Sequence, residues 1–173
     1  MLKRFIPFAH AESIYEIDLS FYEKLGIKYV FADLDNTLDS YKQATPTEKA
    51  IKLKNDLAKL GIELIIVSNN TGARVQKYSN ELGVRHFSSL AKPFSFKIKK
   101  IMKRANIKPS DVVMIGDQTV TDISCANGAK IKSILTDKLV EEDQPTTRFN
   151  RLFDRPLRKR LSKKNLLRDW REI

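Results

Sequence analysis

The sequence predicts a single α/β domain built on a parallel sheet, and three observations carry that prediction. Short apolar runs rich in β-branched residues alternate with segments of helical period. The helical segments are about 10 to 15 residues long, the length of right-handed crossovers between parallel strands. Polar residues capable of chemistry gather just after the strands, where ligands sit in such sheets.

Taken in order, residues 12–25 place Ile14, Ile17, Phe21 and Leu25 at helical spacing, and Gly26 ends the segment. Tyr29-Val30-Phe31-Ala32 then reads as a buried strand. Thr45-Pro46-Thr47-Glu48 has the form of a capping box with proline at the first helical position. The helix it opens should bury Ile51, Leu57 and Leu60 and stop at Gly61. Ile62 to Val67 is the clearest strand. A helix from about Gly72 to Leu82 ends at Gly83, followed by a third strand, Val84 to Phe87. A basic helix spans Phe94 to Asn106, Val112 to Ile115 forms a fourth strand, and Ile131 to Leu135 a fifth after a turn at Asn127-Gly128.

At 173 residues the chain has room for one sheet covered by helices and a short appendage. Its 42% hydrophobic and 31% charged residues exclude a disordered chain. The formal charge of +11 favours anionic partners: phosphate esters, nucleic acid or a lipid surface. One cysteine, Cys125, excludes an intramolecular disulfide and a multi-cysteine metal site, and fits a reducing compartment. Phe5 to Phe8 is too short for the apolar region of a signal peptide. No run approaches the ~20 apolar residues of a membrane span. The expected location is the cytoplasm, with a peripheral position at the inner face of a membrane open. From Arg148 the composition changes. The last 26 residues hold ten basic and three acidic residues, a net +7. Residues 1–147 are therefore read as one domain with a short N-terminal helical segment, and 148–173 as a basic tail.

Asp33 and Asp35, at i and i+2 on a strand leaving the sheet, can project to one side. Carboxylates so close repel unless a cation sits between them, and Mg²⁺ prefers carboxylate, water and phosphate oxygens. The plain alternative is a solvated turn with Asn36 as its turn residue. Ser68, after Ile65-Ile66-Val67, can donate to a phosphate oxygen or simply cap a helix. Lys92 before Pro93 offers a positive charge, or is one surface lysine among many. Asp117 and Asp122 add two carboxylates after the fourth strand, although Asp122 also suits the start of a helix.

The ordered series Asp33-Leu34-Asp35-Asn36-Thr37, Ser68, Lys92-Pro93 and Gly116-Asp117 with Asp122 resembles the four motifs of the haloacid dehalogenase (HAD) superfamily. It covers roughly residues 28–135. More narrowly, Ser68-Asn69-Asn70, Ala91-Lys92-Pro93 and the leading segment around Ser13-Ile14-Tyr15-Glu16-Ile17 resemble the YqeG group of subclass IIIA, related to phosphatidylglycerophosphate phosphatases. The resemblance implies a HAD-type, Rossmann-like parallel sheet flanked by helices. It implies Asp33 as nucleophile through an aspartyl-phosphate and Asp35 as general acid, then base. Ser68, Asn69 and Lys92 would hold the phosphoryl group. The Asp33 carboxylate, the Asp35 carbonyl and Asp117 would hold Mg²⁺, with Asp122 supporting. Only Leu38 to Ala44 separates Thr37 from the capped helix, and one helix and one strand separate Ser68 from Lys92, so the enzyme should be capless with an open site. Asp39, an extra acid, departs from the pattern.

The leading substrate expectation is phosphatidylglycerophosphate. The alternatives are a nucleic-acid-end or small-metabolite phosphatase, or a basic module that binds RNA or ribosomes. The tail keeps three readings. Leu157, Leu161 and Trp170 among Arg158, Lys159 and Arg160 suit an amphipathic helix on an anionic membrane. The same charges suit nucleic acid. A solvated helix packing Leu166, Leu167 and Trp170 on the domain is the third.

Overall fold

A computed structural model describes residues 2–140 and 145–173, excluding the side chains of 145–151. Six parallel strands form an open sheet in the order β1-β6-β5-β2-β3-β4. They are β1 (Ala9–Ala11), β2 (Tyr29–Ala32), β3 (Glu63–Val67), β4 (Arg85–Phe87), β5 (Val112–Gly116) and β6 (Lys132–Thr136). The helices are α1 (Leu19–Lys24), α2 (Glu48–Lys59), α3 (Ala73–Leu82), α4 (Phe96–Arg104), α5 (Ser124–Ala129) and α6 (Pro145–Lys163). The expected Rossmann-like sheet flanked by helices is what forms, and β1 is a strand the sequence pattern did not announce.

The strands read as continuous apolar runs because both faces are covered. In β2, Val30 and Ala32 pack on one side with Leu64, Ile66, Val113 and Ile115, against α2, α3 and the N-terminal segment. Phe31 points to the other side, with Ile65, Val67 and Met114 under α4 and α5. The chain runs outward from β2 through β3 to β4, then returns to β5 on the opposite flank of β2. That reversal lies between β2 and β5, where open α/β sheets place their ligand crevice. Ala32 pairs with both Ile66 and Ile115, so Asp33 leaves the sheet level with the ends of β3 and β5.

Several local expectations change. The 12–25 segment is a single turn of 3₁₀ helix, Ile14–Glu16, followed by α1, because the Asp18 carboxylate caps the Ser20 N–H at 2.8 Å and restarts the helix. The cap of α2 is Thr47, whose hydroxyl accepts from Ala50 N–H, so Pro46 precedes the helix. The buried face of α2 is Ala50, Leu53 and Leu57; Ile51 and Leu60 are exposed. Asn127-Gly128 lies inside α5, and the turn falls at Lys130, with φ 61°. Gly83 closes α3 in the left-handed conformation, as its position suggests.

The C-terminal segment is attached to the domain. Helix α6 begins before position 148 and carries Pro156 within it; the Arg148 side chain lies outside the described residues. Leu161 is fully buried, Asp154 accepts from Val120 N–H at 3.1 Å, and Arg158 donates to the Thr136 carbonyl at 2.9 Å. The Trp170 ring meets Phe21 edge-on at 5.5 Å. Residues 168–169 run beside the open edge of β1, where His10 N–H donates to the Arg168 carbonyl at 2.7 Å. An exposed sheet edge invites pairing with other chains, and this segment covers one. Leu161 and Trp170, read from the sequence as membrane-facing candidates, serve the fold instead.

Leu161→Ala should therefore destabilise the protein by about 2–5 kcal/mol in urea unfolding, whereas Leu152→Ala, at a 70% exposed position of the same helix, should stay within about 0.5 kcal/mol. Equal, small effects would contradict docking of this helix.

Candidate active site

Each expected site residue stands at the carboxyl end of a strand. Asp33 and Asp35 follow β2, Ser68 follows β3, Lys92 lies in the loop after β4, and Asp117 and Asp122 follow β5. All are buried or nearly so. The Lys92 ammonium joins three of these ends. It donates to Asp33 Oδ1 at 2.6 Å, Asp122 Oδ1 at 2.7 Å and the Val67 carbonyl at 3.1 Å.

Oxygens of Asp33, Asp117 and Asp122 lie within 4.8 Å of one another. Three carboxylates against one ammonium leave two negative charges in excess in a buried space. The consequence falls on Asp33. Burial pushes its carboxyl well above the usual range, Lys92 opposes this, and the charges of Asp122, Asp117 and Asp35 add to it. Burial works against the Lys92 ammonium too, but Asp122 and Asp33 outweigh it and hold Lys92 charged. An all-oxygen, doubly negative cradle fits a hard divalent cation.

Asp122 is also a structural anchor, since its Oδ2 accepts from Gln118 N–H at 3.1 Å. Residues Thr119–Ile123 form a widened π-turn that brings Asp122 back over the strand. A Cβ at position 116 would lie 2.3 Å from Asp122 Cγ, so the motif takes glycine there for space.

The Asp35 carboxylate stands apart from this acidic cluster. Its Oδ2 accepts from the Asn70 amide at 2.6 Å and its Oδ1 from Arg74 at 2.5 Å. The same guanidinium donates to the carbonyls of Ser40 and Gln43 at 3.1 Å each, tying the loop after Asp39 to α3. Burial raises the Asp35 carboxyl above its usual value while Arg74 and Asn70 pull it down.

Two further polar residues, Asn69 and Asp39, brace the backbone around the site. The Asn69 amide bridges the Lys92 backbone, accepting from its N–H at 2.7 Å and donating to its carbonyl at 2.9 Å, and so positions the lysine. Asp39 accepts from Thr47 N–H at 3.0 Å, the Thr47 hydroxyl at 2.9 Å and the Tyr78 hydroxyl. It fastens the start of α2 and does not join the acidic cluster. Ser68 Oγ accepts from Asn70 N–H at 3.1 Å, leaving its hydroxyl hydrogen to donate. Asn36 takes φ 63°, a left-handed turn that asparagine tolerates.

Arg74 is the residue the sequence reading missed. A signal existed: a cation in the first turn of a helix opposes the helix dipole and asks for a nearby acid. Which acid is a matter of tertiary structure.

Comparison with known proteins gives the family of the chain. The profile of haloacid dehalogenase-like hydrolases matches residues 2–136. The Probable phosphatase YqeG of Bacillus subtilis (strain 168) is 31% identical over 173 residues, covering 99% of this chain and all of that one. Phosphatidylglycerophosphate phosphatase 1, chloroplastic/mitochondrial, of Arabidopsis thaliana is 25% identical over 149 residues, 81% of this chain and 43% of that protein. Among solved structures, the cobalt-bound deoxy-D-mannose-octulosonate 8-phosphate phosphatase of Haemophilus influenzae superposes with a TM-score of 0.51 at 17% identity, covering 66% of this chain and 81% of that one. An uncharacterized protein from Listeria monocytogenes serotype 4b superposes with a TM-score of 0.53 at 17% identity, covering 77% and 99%. These two show the fold. The chain belongs to the haloacid dehalogenase-like hydrolase family, and the enzyme class expected from its motifs, a phosphatase of that superfamily, holds.

Arg74→Ala should lower kcat by about 10- to 100-fold while the protein stays folded, because Asp35 and the 40–43 loop lose a shared tether. Arg74→Lys should recover only part, since one ammonium cannot span three acceptors in a planar fork. Wild-type kcat in Arg74→Ala would remove Arg74 from the site.

Proposed function

We propose that this chain hydrolyses phosphomonoesters with Mg²⁺ through an aspartyl-phosphate on Asp33, with phosphatidylglycerophosphate as its substrate. The observation that supports the reading is the separation of the carboxylates into two environments. Asp33 sits with Asp117 and Asp122 in one buried group, while Asp35 is held separately by Arg74 and Asn70.

An Asp33 oxygen attacks phosphorus and the ester P–O bond breaks. The leaving oxygen takes a proton from Asp35. Water then attacks the phosphoryl group, gives its proton back to Asp35, and releases inorganic phosphate and Asp33. Asp35 needs a protonated form for the first half and an ionised one for the second. The opposing effects of burial and Arg74 suit a group that must serve as both. Lys92 and the Ser68 hydroxyl hold the phosphoryl oxygens, and Asn69 acts through Lys92. Mg²⁺, held by Asp33, the Asp35 carbonyl and Asp117, with Asp122 supporting, would neutralise charge on the transferring group.

The lipid substrate rests on the Arabidopsis relative's name and on a capless architecture: among the described residues, no folded insertion covers the site after β2 or β3. Among the described residues no helix is long and apolar enough to cross a membrane; the proposed contact with the lipid is peripheral, at the inner face of the membrane.

Asp33→Asn should fold normally by circular dichroism and lose turnover by about 10³-fold or more. Activity near wild type in that variant would defeat the covalent route. Exhaustive EDTA treatment should abolish hydrolysis of p-nitrophenyl phosphate, and Mg²⁺ should restore it; indifference to chelation would rule out the metal.

A further inference from the structure

Two groups of exposed apolar side chains stand beside the site-bearing loops. Phe94 and Phe96 are 60% and 58% exposed, with their rings 6.5 Å apart, and they follow Lys92 in the chain. Leu152 and Phe153 on α6 are 70% and 58% exposed. Both groups are fastened to one short segment. The Phe94 carbonyl accepts from Cys125 Sγ at 3.4 Å, and Asp154, next to Phe153, accepts from Val120 N–H. That segment also carries Asp122. Both groups are thus tied to the segment that follows β5.

The helix that Phe96 opens has an unusual outer face. In its nine residues α4 has five cations and no acid. Phe96, Lys99, Lys100 and Lys103 fall at i, i+3, i+4 and i+7, one face of the helix, and all are exposed. Ile98 and Met102 occupy the buried side. Beside this face, a cleft of about 450 Å³ is lined by Lys97, Lys100 and Arg104 together with Phe87, Leu90 and Ile101.

We propose that this face docks on an anionic lipid bilayer, with Phe94, Phe96, Leu152 and Phe153 entering the interfacial region and the α4 cations meeting lipid phosphates. The docking deepens the lipid-phosphatase reading, because it brings the β5 end of the catalytic crevice against the surface that holds the substrate. Charge selects the partner: a cation-only helix on a chain of net +11 repels another copy of itself and attracts anionic headgroups. The apolar residues select among anions. Aromatic rings would also stack on the bases of single-stranded RNA, but an exposed leucine gains little from a base and much from lipid. The device differs from an anchor centred on Leu161, which is buried, and Trp170, which packs partly buried against the core.

The test uses the full chain with vesicles of phosphatidylglycerol and phosphatidylcholine, against vesicles of phosphatidylcholine alone. The wild type should sediment with the anionic vesicles and not with the neutral ones, and added salt should weaken the binding. Phe94→Ser with Phe96→Ser should reduce vesicle affinity by about tenfold or more, as should Lys99→Glu with Lys103→Glu, while p-nitrophenyl phosphate hydrolysis stays unchanged. Wild-type protein that ignores anionic vesicles overturns the proposal. So does a phenylalanine pair variant that binds them as before, or one that loses p-nitrophenyl phosphate hydrolysis in step with binding. Protein that docks as expected but leaves phosphatidylglycerophosphate intact supports the docking face and rejects only the substrate.

Discussion

Asp33, Asp117 and Asp122 are brought within a few ångströms of each other out of water, and the Lys92 ammonium is the cation that joins two of them directly. One positive charge cannot balance three negative ones, and burial makes the deficit costly. The site is consequently electrostatically unfinished, with Asp33 pushed toward its neutral form. A divalent cation would cancel the two excess charges and leave the site able to receive an anionic phosphoryl group.

Much of the nearby backbone maintains that arrangement. Asn69 grips both backbone polar groups of Lys92, so the lysine approaches from a fixed loop. The π-turn returns Asp122 over Gly116, and the missing side chain at 116 makes room. Asp39, joined to Thr47 and Tyr78, fixes where α2 starts and holds the loop that Arg74 grips from the other side. Arg74 in turn keeps Asp35 on its own partners, outside the acidic cluster. Two aspartates separated by a single residue acquire different environments this way, the usual means by which similar groups take different roles.

The C-terminal segment combines structure and charge. Its buried leucine, its tryptophan against Phe21 and its cover over the β1 edge make it part of the domain. Arg158, one of the cations that gives the segment its basic character, turns inward to the Thr136 carbonyl and Asp137. The count of basic residues could not distinguish such inward cations from solvated ones, because a charge census contains no information about direction.

The sequence by itself determined five of the six strands, the order of its motifs and the identity of the acidic residues. Those features are written in local patterns: apolar runs for strands buried on both faces, glycine stops at positions 61 and 83, and carboxylates placed immediately beyond strands. Tertiary structure decided what local pattern cannot encode. The three-residue β1 is too short to show a period and exists through pairing with β6. Ile51 and Leu60 faced solvent because the position of the cap at Thr47 and the packing of Ala50, Leu53 and Leu57 set the buried side of α2. The assignments of Arg74 to Asp35, Asn69 to Lys92 and Asp39 to Tyr78 span 39, 23 and 39 positions of chain. Such pairings arise only when the sheet brings separate strand ends to one crevice, and there geometry, not composition, chooses the partner.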